Sequence, residues 1–518
     1  MSKLNSFLFF LTGLALTILV TPSLATMPKE QDKGCFMILA GKNATKDKSV
    51  LMAHNNDLTG KETSFLKKIP RMEHDSGEVI KFNNGLTIQQ ELITYEWMVL
   101  QTEKGFMEGD AVAVNEYGVA IGGGVSLAKD RNIKARKADP LKDKGVTGGI
   151  RYVALQRART ARQCVRMLGE FFNYYGISYP NGFAVADENE IWYIEIGGGT
   201  HWAAVKIPSD ACWIQANSYR IGFINPDGND VMASPGLKEF AKRNKLWDPD
   251  NQLFNFADTF GGRKRKLAKR KFSDSRRIWR AHSLLVPSEE LSPERKKFPT
   301  FIRPDKKVTL EKLMSILRDE YRGTKFYPYS ADTTFLTETT YRTDTIYQAD
   351  TIAQIDSITK IDTSYQIDSS GRKERPIASQ NSVHTSIVQI RGGFPSGLKS
   401  VLWAGLGSPV TTPYIPFYFG IEKVPEPYGE KTPKEKKAFH SYNKLSEIYY
   451  SDPSAYSKKF PDTLNNFQQR CINEQKIVDK QAYRIFRSSR KMTSHFLTVT
   501  VDGFCSEALD LVEENINE

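Results

Sequence analysis

Cys35 occupies a position in the sequence that suits a nucleophile. It lies ten residues after Ala25, where an export signal would end, and it opens the apolar run CFMILA. A thiolate attacks carbonyl carbon readily, but an ordinary cysteine has a pKa of about 8.5 and needs a proton acceptor at neutral pH. Cleavage of the Gly34-Cys35 bond would create an α-amine with a pKa of about 7.7 to 8.0, which can accept that proton within the same residue. Cys35 is therefore a candidate N-terminal nucleophile.

Two other roles for Cys35 remain open from the sequence. A lipid-anchored cysteine needs small and apolar residues directly before it, whereas here the polar stretch PKEQDKG precedes the cysteine. A buried cysteine with only a packing role is the second alternative, because free cysteine behaves as a small apolar residue.

The first residues of the chain have the pattern of a secretory signal. Lys3 precedes an apolar stretch from residue 7 to 20, and Ser23-Leu24-Ala25 matches a small-x-small cleavage site. We expect a signal peptide over residues 1–25 and a short propeptide over residues 26–34. The apolar stretch is too short for a membrane span, and no later segment approaches the ~20 apolar residues that a span requires. The expected mature protein is exported, periplasmic or secreted.

Composition argues against several classes of partner. The net charge is +12, and part of it is concentrated in the run RKRKLAKRK at residues 263–271. No aromatic residues interleave with that run and no nucleic-acid motif surrounds it, so we expect a solvated surface and no nucleic-acid partner. The seven histidines are scattered and no cysteine pair has zinc-ligand spacing, so we expect no metal and no cofactor.

The cysteines cannot all pair within one chain. There are five of them, so at least one is free in an exported protein. A Cys471-Cys505 bridge stays open from the sequence, because spacing alone cannot establish the geometry of a disulfide.

Two strand-like segments follow the candidate nucleophile. Residues 35–40 and 49–54 are joined by GKNATKDK, whose Gly, Asn and Asp are turn formers. In the simplest antiparallel register, Cys35 lies opposite His54, with residues 55–57 just beyond. The predicted hairpin thus brings polar groups to the thiol.

The rest of the chain predicts an α+β fold. Apolar residues recur at helical spacing from Tyr152 to Tyr175, and Gly176 is the predicted stop. Short strands are predicted in GFAVAD, IWYIEI, HWAAVKIP, CWIQAN, SIVQI and VLWAGLG. Strand groups separated by helices indicate a layered architecture.

Two regions carry no predicted chemistry. Between residues 343 and 370 an acidic hexad recurs, which favours a surface hairpin or a mobile insertion over a solenoid; its aspartates are Asp344, Asp350, Asp356, Asp362 and Asp368. From Pro433 onward the chain is charged and helix-like, apart from a strand pattern in FLTVTVDG, and we expect this tail to pack on the main body.

Several ordered blocks resemble one family. The segment CFMILAGKNATKDKSVLMAHNND is similar to the start of the dipeptidase/secernin family of N-terminal-nucleophile cysteine hydrolases. Further blocks follow in order: GFAVADENEIWYIEIGGGTHWAAVKIP, QANSYRI, SRRIWR and VLWAGLGSPVTTPYIPFYFGI. The resemblance implies a four-layer αββα sandwich over residues 35–430 and leaves a mostly helical C-terminal extension over residues 431–518. It also implies propeptide removal and hydrolysis of dipeptides or short peptides.

The resemblance implies roles for five residues. Cys35 is the nucleophile, Asp57 holds its α-amine, Asn217 orients the amine or donates to the oxyanion, and Arg277 lowers the thiol pKa. His54 stands where the family usually has arginine, so a permanent cation is lost, although imidazole can donate a hydrogen bond or carry charge at lower pH. The plain alternatives are a turn cap for Asp57, backbone hydrogen bonding for Asn217 and surface charge for Arg277.

We therefore expect an exported cysteine dipeptidase made as a precursor. One alternative is an acylase of conjugated amides such as bile salts or acyl amino acids, which would use the same nucleophile. The other is a non-catalytic exported binding protein, in which His54 marks a decayed site and the acidic hexads bind a partner. The sequence leaves the oligomeric state open, a homo-oligomer included.

Overall fold

The structure is a computed structural model and describes residues 34–58, 62–105, 112–262, 268–295, 297–329, 374–456 and 460–517. The expected signal peptide, all of the expected propeptide except Gly34, and the acidic hexads lie outside the described residues. Within the described ranges, no helix is both long enough and apolar enough to cross a membrane.

The described residues contain many short strands, and all but the last three lie in the first half of the chain. They are β1 (Phe36–Ala40), β2 (Val50–Asp57), β3 (Ser64–Ile69), β4 (Met72–Glu73), β5 (Val79–Lys81), β6 (Thr87–Gln89), β7 (Ile93–Thr94), β8 (Trp97–Thr102), β9 (Val112–Asn115), β10 (Ala120–Ser126), β11 (Asn181–Ala186), β12 (Ile191–Ile196), β13 (Trp202–Ile207), β14 (Cys212–Gln215), β15 (Val231–Ala233), β16 (Ser382–Ile390), β17 (Ser400–Leu406) and β18 (Ile415–Tyr418).

Helices lie between the strand groups and form the end of the chain. They are α1 (Ile133–Ala138), α2 (Ile150–Leu155), α3 (Ala161–Tyr175), α4 (Leu237–Arg243), α5 (Phe256–Phe260), α6 (Ala268–Leu285), α7 (Leu310–Leu317), α8 (Ser396–Lys399), α9 (Ala438–Ser451), α10 (Pro453–Tyr456), α11 (Phe460–Phe486) and α12 (Arg490–Asn517), with 3₁₀ turns at Ala128–Asp130, Glu426–Tyr428 and Lys434–Lys436.

Two antiparallel sheets contain most of the strands. One has the order β14-β1-β2-β16-β17-β18 and the other the order β15-β13-β12-β11-β10-β9-β8-β3. The sheets contact each other where β1 and β2 meet β10 and β11. Helices α2 and α3 contact the eight-stranded sheet, and α6 and α7 contact the six-stranded one. Residues on both faces of β1 and β2 are buried, which explains their continuous apolar runs.

The predicted register of the first hairpin is wrong by two residues. Met37, not Cys35, lies opposite His54, and Phe36 lies opposite Asn55. The connecting loop hydrogen-bonds to the backbone of Ser209, Ala211 and Val308, so contacts with distant segments set the register. Because the error is an even number of residues, each side chain keeps its predicted face of the sheet.

The predicted helix from Tyr152 to Tyr175 is two helices, α2 and α3. Asn115 explains the break, since its side-chain amide donates to the carbonyl oxygens of Leu155 and Ala158, at 2.9 and 2.7 Å. The Thr160 side chain then caps the start of α3. The predicted stop at Gly176 is confirmed: its φ of +71° is a conformation that favours glycine.

The C-terminal helices pack on the six-stranded sheet. The FLTVTVDG segment lies within α12, so its strand pattern is misleading: Leu497, Val501 and Phe504 are buried at helical spacing. Tertiary packing overrides the β-propensity of valine and threonine here. The Cys471 and Cys505 thiols are buried and free, so the open question of a disulfide is answered by two reduced cysteines.

Tyr428 joins this tail to the main body and provides a stability prediction. Its hydroxyl donates to Cys505 O at 3.1 Å and lies 2.6 Å from the Tyr442 hydroxyl, all buried. Tyr428→Phe leaves the buried Tyr442 hydroxyl without this partner, so we expect the free energy of unfolding to fall by about 1–3 kcal/mol. Urea unfolding measures this. The control is Tyr174→Phe, at an 82% exposed position, and an equal effect in both variants would contradict the assignment.

Candidate active site

Cys35 lies at the start of β1 with its thiol inside the protein. The residue is 6% exposed, and Sγ donates to the Asn56 side-chain oxygen at 3.3 Å. The observed register explains the contact: Phe36 pairs with Asn55, so Asn56 comes next to Cys35 on the same face.

Two arginines hold the carbonyl oxygens on either side of Cys35. Arg375 donates from Nη2 to Gly34 O, and Arg277 donates from Nη1 to Cys35 O at 3.2 Å. A Cβ atom at residue 34 would overlap the ends of the Arg375 and Asn217 side chains, so both would have to move away. Glycine therefore permits the close approach of these groups to the Gly34-Cys35 peptide.

Asp57 lies at the end of β2 and is buried. Its carboxyl group accepts from Arg375 Nη2 at 2.8 Å and from the Ser382 hydroxyl at 2.6 Å, and Ser382 is its partner in the strand ladder. Burial raises the pKa of Asp57, while the charge of Arg375 and the hydrogen bond from Ser382 act in the opposite direction. The carboxyl group thus belongs to the same cluster as the Gly34-Cys35 peptide.

Arg277 connects this cluster to Asn217. The Arg277 side chain on α6 is fully buried, which rules out the surface-charge interpretation. Its Nη2 donates to Asn217 Oδ1 at 3.2 Å and to Asp274 Oδ1 at 2.6 Å. The Asn217 amide donates to Ser126 O at 3.2 Å. The structure therefore brings together Cys35, Asp57, Asn217 and Arg277, four of the five residues to which the family resemblance gives roles.

A buried carboxyl group supports the loop that carries Asn217. Glu195 accepts from the backbone nitrogens of Arg220 and Ile221, at 2.6 and 3.0 Å. The Tyr219 hydroxyl adds a bond to Ile196 O at 2.7 Å. Burial raises the pKa of Glu195 to about 8 against the opposing effect of these backbone donors.

His54 does not supply a charge to this cluster. It is buried on β2, and among the described residues neither of its ring nitrogens has a hydrogen-bond partner. Burial lowers its pKa well below the usual value, and the neighbouring His384 and Arg151 lower it further. The lowered pKa therefore argues against a positively charged His54 imidazole at mildly acidic pH. Gly123 on β10 has a φ of +71°, and a Cβ atom at this position would overlap the end of the Met37 side chain and touch the His54 ring.

Three further residues belong to the cluster: Asn56, which the predicted hairpin includes without singling it out, and Ser382 and Arg375, which the sequence does not indicate. Asn56 is adjacent to Asp57 and the correct register would have found it. No local pattern marks Ser382 or Arg375. Arg375 lies 318 residues from Asp57 along the chain, so only the packed fold brings them together. Within the described residues, no group of three or more His, Cys, Asp or Glu side chains is arranged to hold a metal ion.

The chain matches one family of known proteins over most of its length. The peptidase family C69 model matches residues 34–466, which is most of the chain. The chain is therefore a cysteine-type hydrolase. It belongs to peptidase family C69, and the resemblance to the dipeptidase/secernin family is confirmed.

Curated relatives match over most of their length. A protein named "Probable dipeptidase" from Latilactobacillus sakei is 28% identical over 485 residues, covering 90% of this chain and 93% of the relative. A "Probable dipeptidase" from Salmonella dublin is 25% identical, with 77% and 84% covered. Among solved structures, a mutant conjugated bile acid hydrolase from Clostridium perfringens aligns over 72% of this chain with 10% identity and a TM-score of 0.23, too weak a likeness to bear on fold or function.

The raised pKa of Glu195 predicts how stability depends on pH. A carboxyl group whose folded pKa is about 8, against an ordinary 4.5, stabilises the fold fully below pH 4.5, and this contribution is lost as the pH rises through 8. Glu195→Gln removes the titration and imitates the protonated acid. We expect the wild-type minus variant difference in unfolding free energy to fall by at most about 1.4 kcal/mol per pH unit in that window.

Urea titrations at about pH 5 and about pH 9 on both proteins measure this difference. A difference that stays constant across the two conditions would contradict the raised pKa of Glu195.

Proposed function

We propose that this chain is an exported cysteine dipeptidase, made as a precursor and activated when Cys35 becomes the N-terminal residue. One observation carries the proposal. The Cys35 thiol is buried, and arginines bind the carbonyl oxygens on both sides of it: Arg375 binds Gly34 O and Arg277 binds Cys35 O. Membership of peptidase family C69 and the names of the curated relatives support the peptide substrate. Export and the segments 1–25 and 26–34 rest on the sequence pattern.

The proposed fold is a four-layer αββα sandwich over residues 35–430 with a C-terminal extension over residues 431–518. Its support is the contact between the two sheets through β1, β2, β10 and β11, with α2 and α3 against one sheet and α6 and α7 against the other.

In the proposed reaction, the Cys35 thiolate attacks the carbonyl carbon of a dipeptide. The α-amine of Cys35 takes the thiol proton and then delivers it to the leaving amine, which produces an acyl-enzyme. Water then attacks the thioester, with the same amine as base, and releases the acid. Asn217 and backbone amides stabilise the tetrahedral oxyanion, and Arg277 holds Cys35 through its carbonyl oxygen.

We assign to Asp57 the role of holding the α-amine. In the uncut chain it binds Arg375, which also binds Gly34 O, and that oxygen belongs to the same peptide group as the Cys35 nitrogen. Once the bond is cut, the new amine lies beside this carboxyl group and can donate to it. The hydrogen bond would orient the amine towards the thiol.

The first test removes the nucleophile. Cys35→Ala should abolish the release of amino acids from dipeptides, because the proposed acyl-enzyme is a thioester of the Cys35 sulfur. The matched control is Cys212→Ala, a buried cysteine on β14 outside the cluster, which should stay active. Release of amino acids by the Cys35→Ala protein would overturn the proposal.

A panel of substrates distinguishes a dipeptidase from an acylase or a binding protein. The wild-type protein is offered a panel of dipeptides and acylated amino acids, and the N-terminal residue of the purified chain is determined by mass spectrometry. Dipeptide hydrolysis by a chain that begins at Cys35 is expected. Hydrolysis of acylated amino acids alone would indicate an acylase, and an uncut, unreactive chain would indicate a binding protein.

A second test addresses Asn217. If its amide stabilises the oxyanion, Asn217→Ala should lower kcat by about 100-fold to 1,000-fold with little change in KM, because the interaction strengthens only in the transition state. Asn84→Ala is the control, since Asn84 binds the carbonyls of Asp143 and Gly145 away from the cluster. An unchanged kcat in a folded Asn217→Ala enzyme would exclude the role.

A further inference from the structure

We propose that Arg375 activates the Gly34-Cys35 bond for cleavage by the chain's own thiol. Its guanidinium group binds the Gly34 carbonyl oxygen that becomes the oxyanion when Cys35 attacks. This inference rests on the proposed function, because it assumes that Cys35 becomes the chain terminus. It names the residue that makes the Gly34 carbonyl reactive during self-cleavage of the precursor.

The position of the guanidinium group is the first observation. Arg375 Nη2 donates both to Gly34 O and to Asp57 Oδ2, the latter at 2.8 Å, and the arginine side chain is 13% exposed. Attack on the Gly34 carbonyl carbon places a negative charge on that oxygen. A fixed cation in contact with the oxygen and screened from water stabilises this charge strongly.

Hydrogen bonds from two side chains to backbone oxygens hold the segment that carries Arg375. The Tyr321 hydroxyl donates to Arg375 O at 3.0 Å, and the Asn55 amide donates to Ile377 O at 3.0 Å. Asn55 belongs to β2, two residues before Asp57. The arginine is thus tied to the strand that carries its acidic partner, so the guanidinium group is positioned before any reaction begins.

Arg277 has a different task in the same cluster. It binds the carbonyl oxygen of Cys35, on the other side of the residue, together with Asn217 and Asp274. Each arginine therefore binds one carbonyl oxygen. Arg375 binds the oxygen of Gly34, whose carbonyl carbon the thiol must attack. His54, which is buried and kept neutral, makes no such contact in the described residues.

The proposed cleavage balances without any co-reactant except water. Cys35 Sγ adds to the Gly34 carbonyl carbon through a small ring made of S, Cβ, Cα, N and that carbon. The S–C bond forms, the C–N bond breaks, and the thiol proton ends on the nitrogen, which leaves a free α-amine and a thioester. Water then forms a C–O bond, the C–S bond breaks with return of a proton to sulfur, and the upstream segment leaves with the Gly34 carboxylate.

After cleavage the same guanidinium group lies beside the new α-amine. The Asp57 carboxyl group, which binds the same guanidinium group, is the amine's other charged neighbour. The carbonyl of a substrate must reach the same Sγ atom that attacked Gly34. Arg375 is therefore expected to contact that substrate carbonyl as well.

The test uses the full chain made by cell-free translation with purified components, and follows cleavage of the Gly34-Cys35 bond over time by mass spectrometry. Arg375→Ala should slow cleavage by about 100-fold to 1,000-fold, and Arg375→Lys, which keeps the charge, by less. Millimolar guanidinium should restore part of the rate in Arg375→Ala, which a purely structural role would not show.

The matched control is Arg391→Ala. Arg391 is also a buried arginine paired with an aspartate, Asp479, but it lies away from residues 34 and 35, so cleavage should keep its normal rate. Thermal melting checks that each variant is folded. If Arg375→Ala does not fold, Arg375→Lys decides the question, because the proposal requires slower cleavage in a folded protein.

The outcomes separate this inference from the proposed function. Normal cleavage in a folded Arg375→Ala or Arg375→Lys chain, with an active wild type that begins at Cys35, would overturn the role of Arg375 alone. An active wild-type protein that keeps its upstream residues would overturn the proposed function. Cleavage that persists in Cys35→Ala would show that another protease makes the cut and would also overturn the self-cleavage proposal.

Discussion

The buried pair of Asp57 and Arg375 is the interaction on which the site depends. Removing both charged groups from water costs several kcal/mol per ion, and only a close, well-oriented partner offsets that cost. The 2.8 Å contact, with the added bond from Ser382, supplies such a partner. Because the two residues are 318 positions apart, the pair forms only when β2, β16 and the segment before β16 have packed together.

Next to this pair, two arginine side chains contact the backbone on either side of Cys35. Arg375 and Arg277 each donate to a backbone carbonyl next to Cys35, and Asn217 lies against the same residue pair. The absence of a side chain at Gly34 allows all three groups to approach. A water-poor position increases the electrostatic effect of the arginines on these carbonyls, which is the physical basis of the chemistry proposed here.

His54 lies on β2 at the position where the family resemblance leads us to expect arginine. Burial, together with His384 and Arg151 nearby, keeps the imidazole neutral, so β2 itself contributes no cation. The positive charge next to Asp57 comes instead from Arg375 and Arg277, on two other parts of the chain. The cations that face the Asp57 carboxyl group therefore come from outside β2.

The roles of Cys35, Asp57, Asn217 and Arg277 came from the family resemblance. Local patterns were sufficient to predict the strands β1, β2 and β11 to β14 and the helix stop at Gly176. These features follow from burial and turn preferences that short segments express by themselves. The register of the first hairpin, the break between α2 and α3, and the helical state of FLTVTVDG depended on partners far along the chain. Arg375 belongs to the same class, because nothing near it in the sequence indicates Asp57. Such contacts arise when whole sheets and helices pack, so their energies are set by neighbours that a local reading cannot identify.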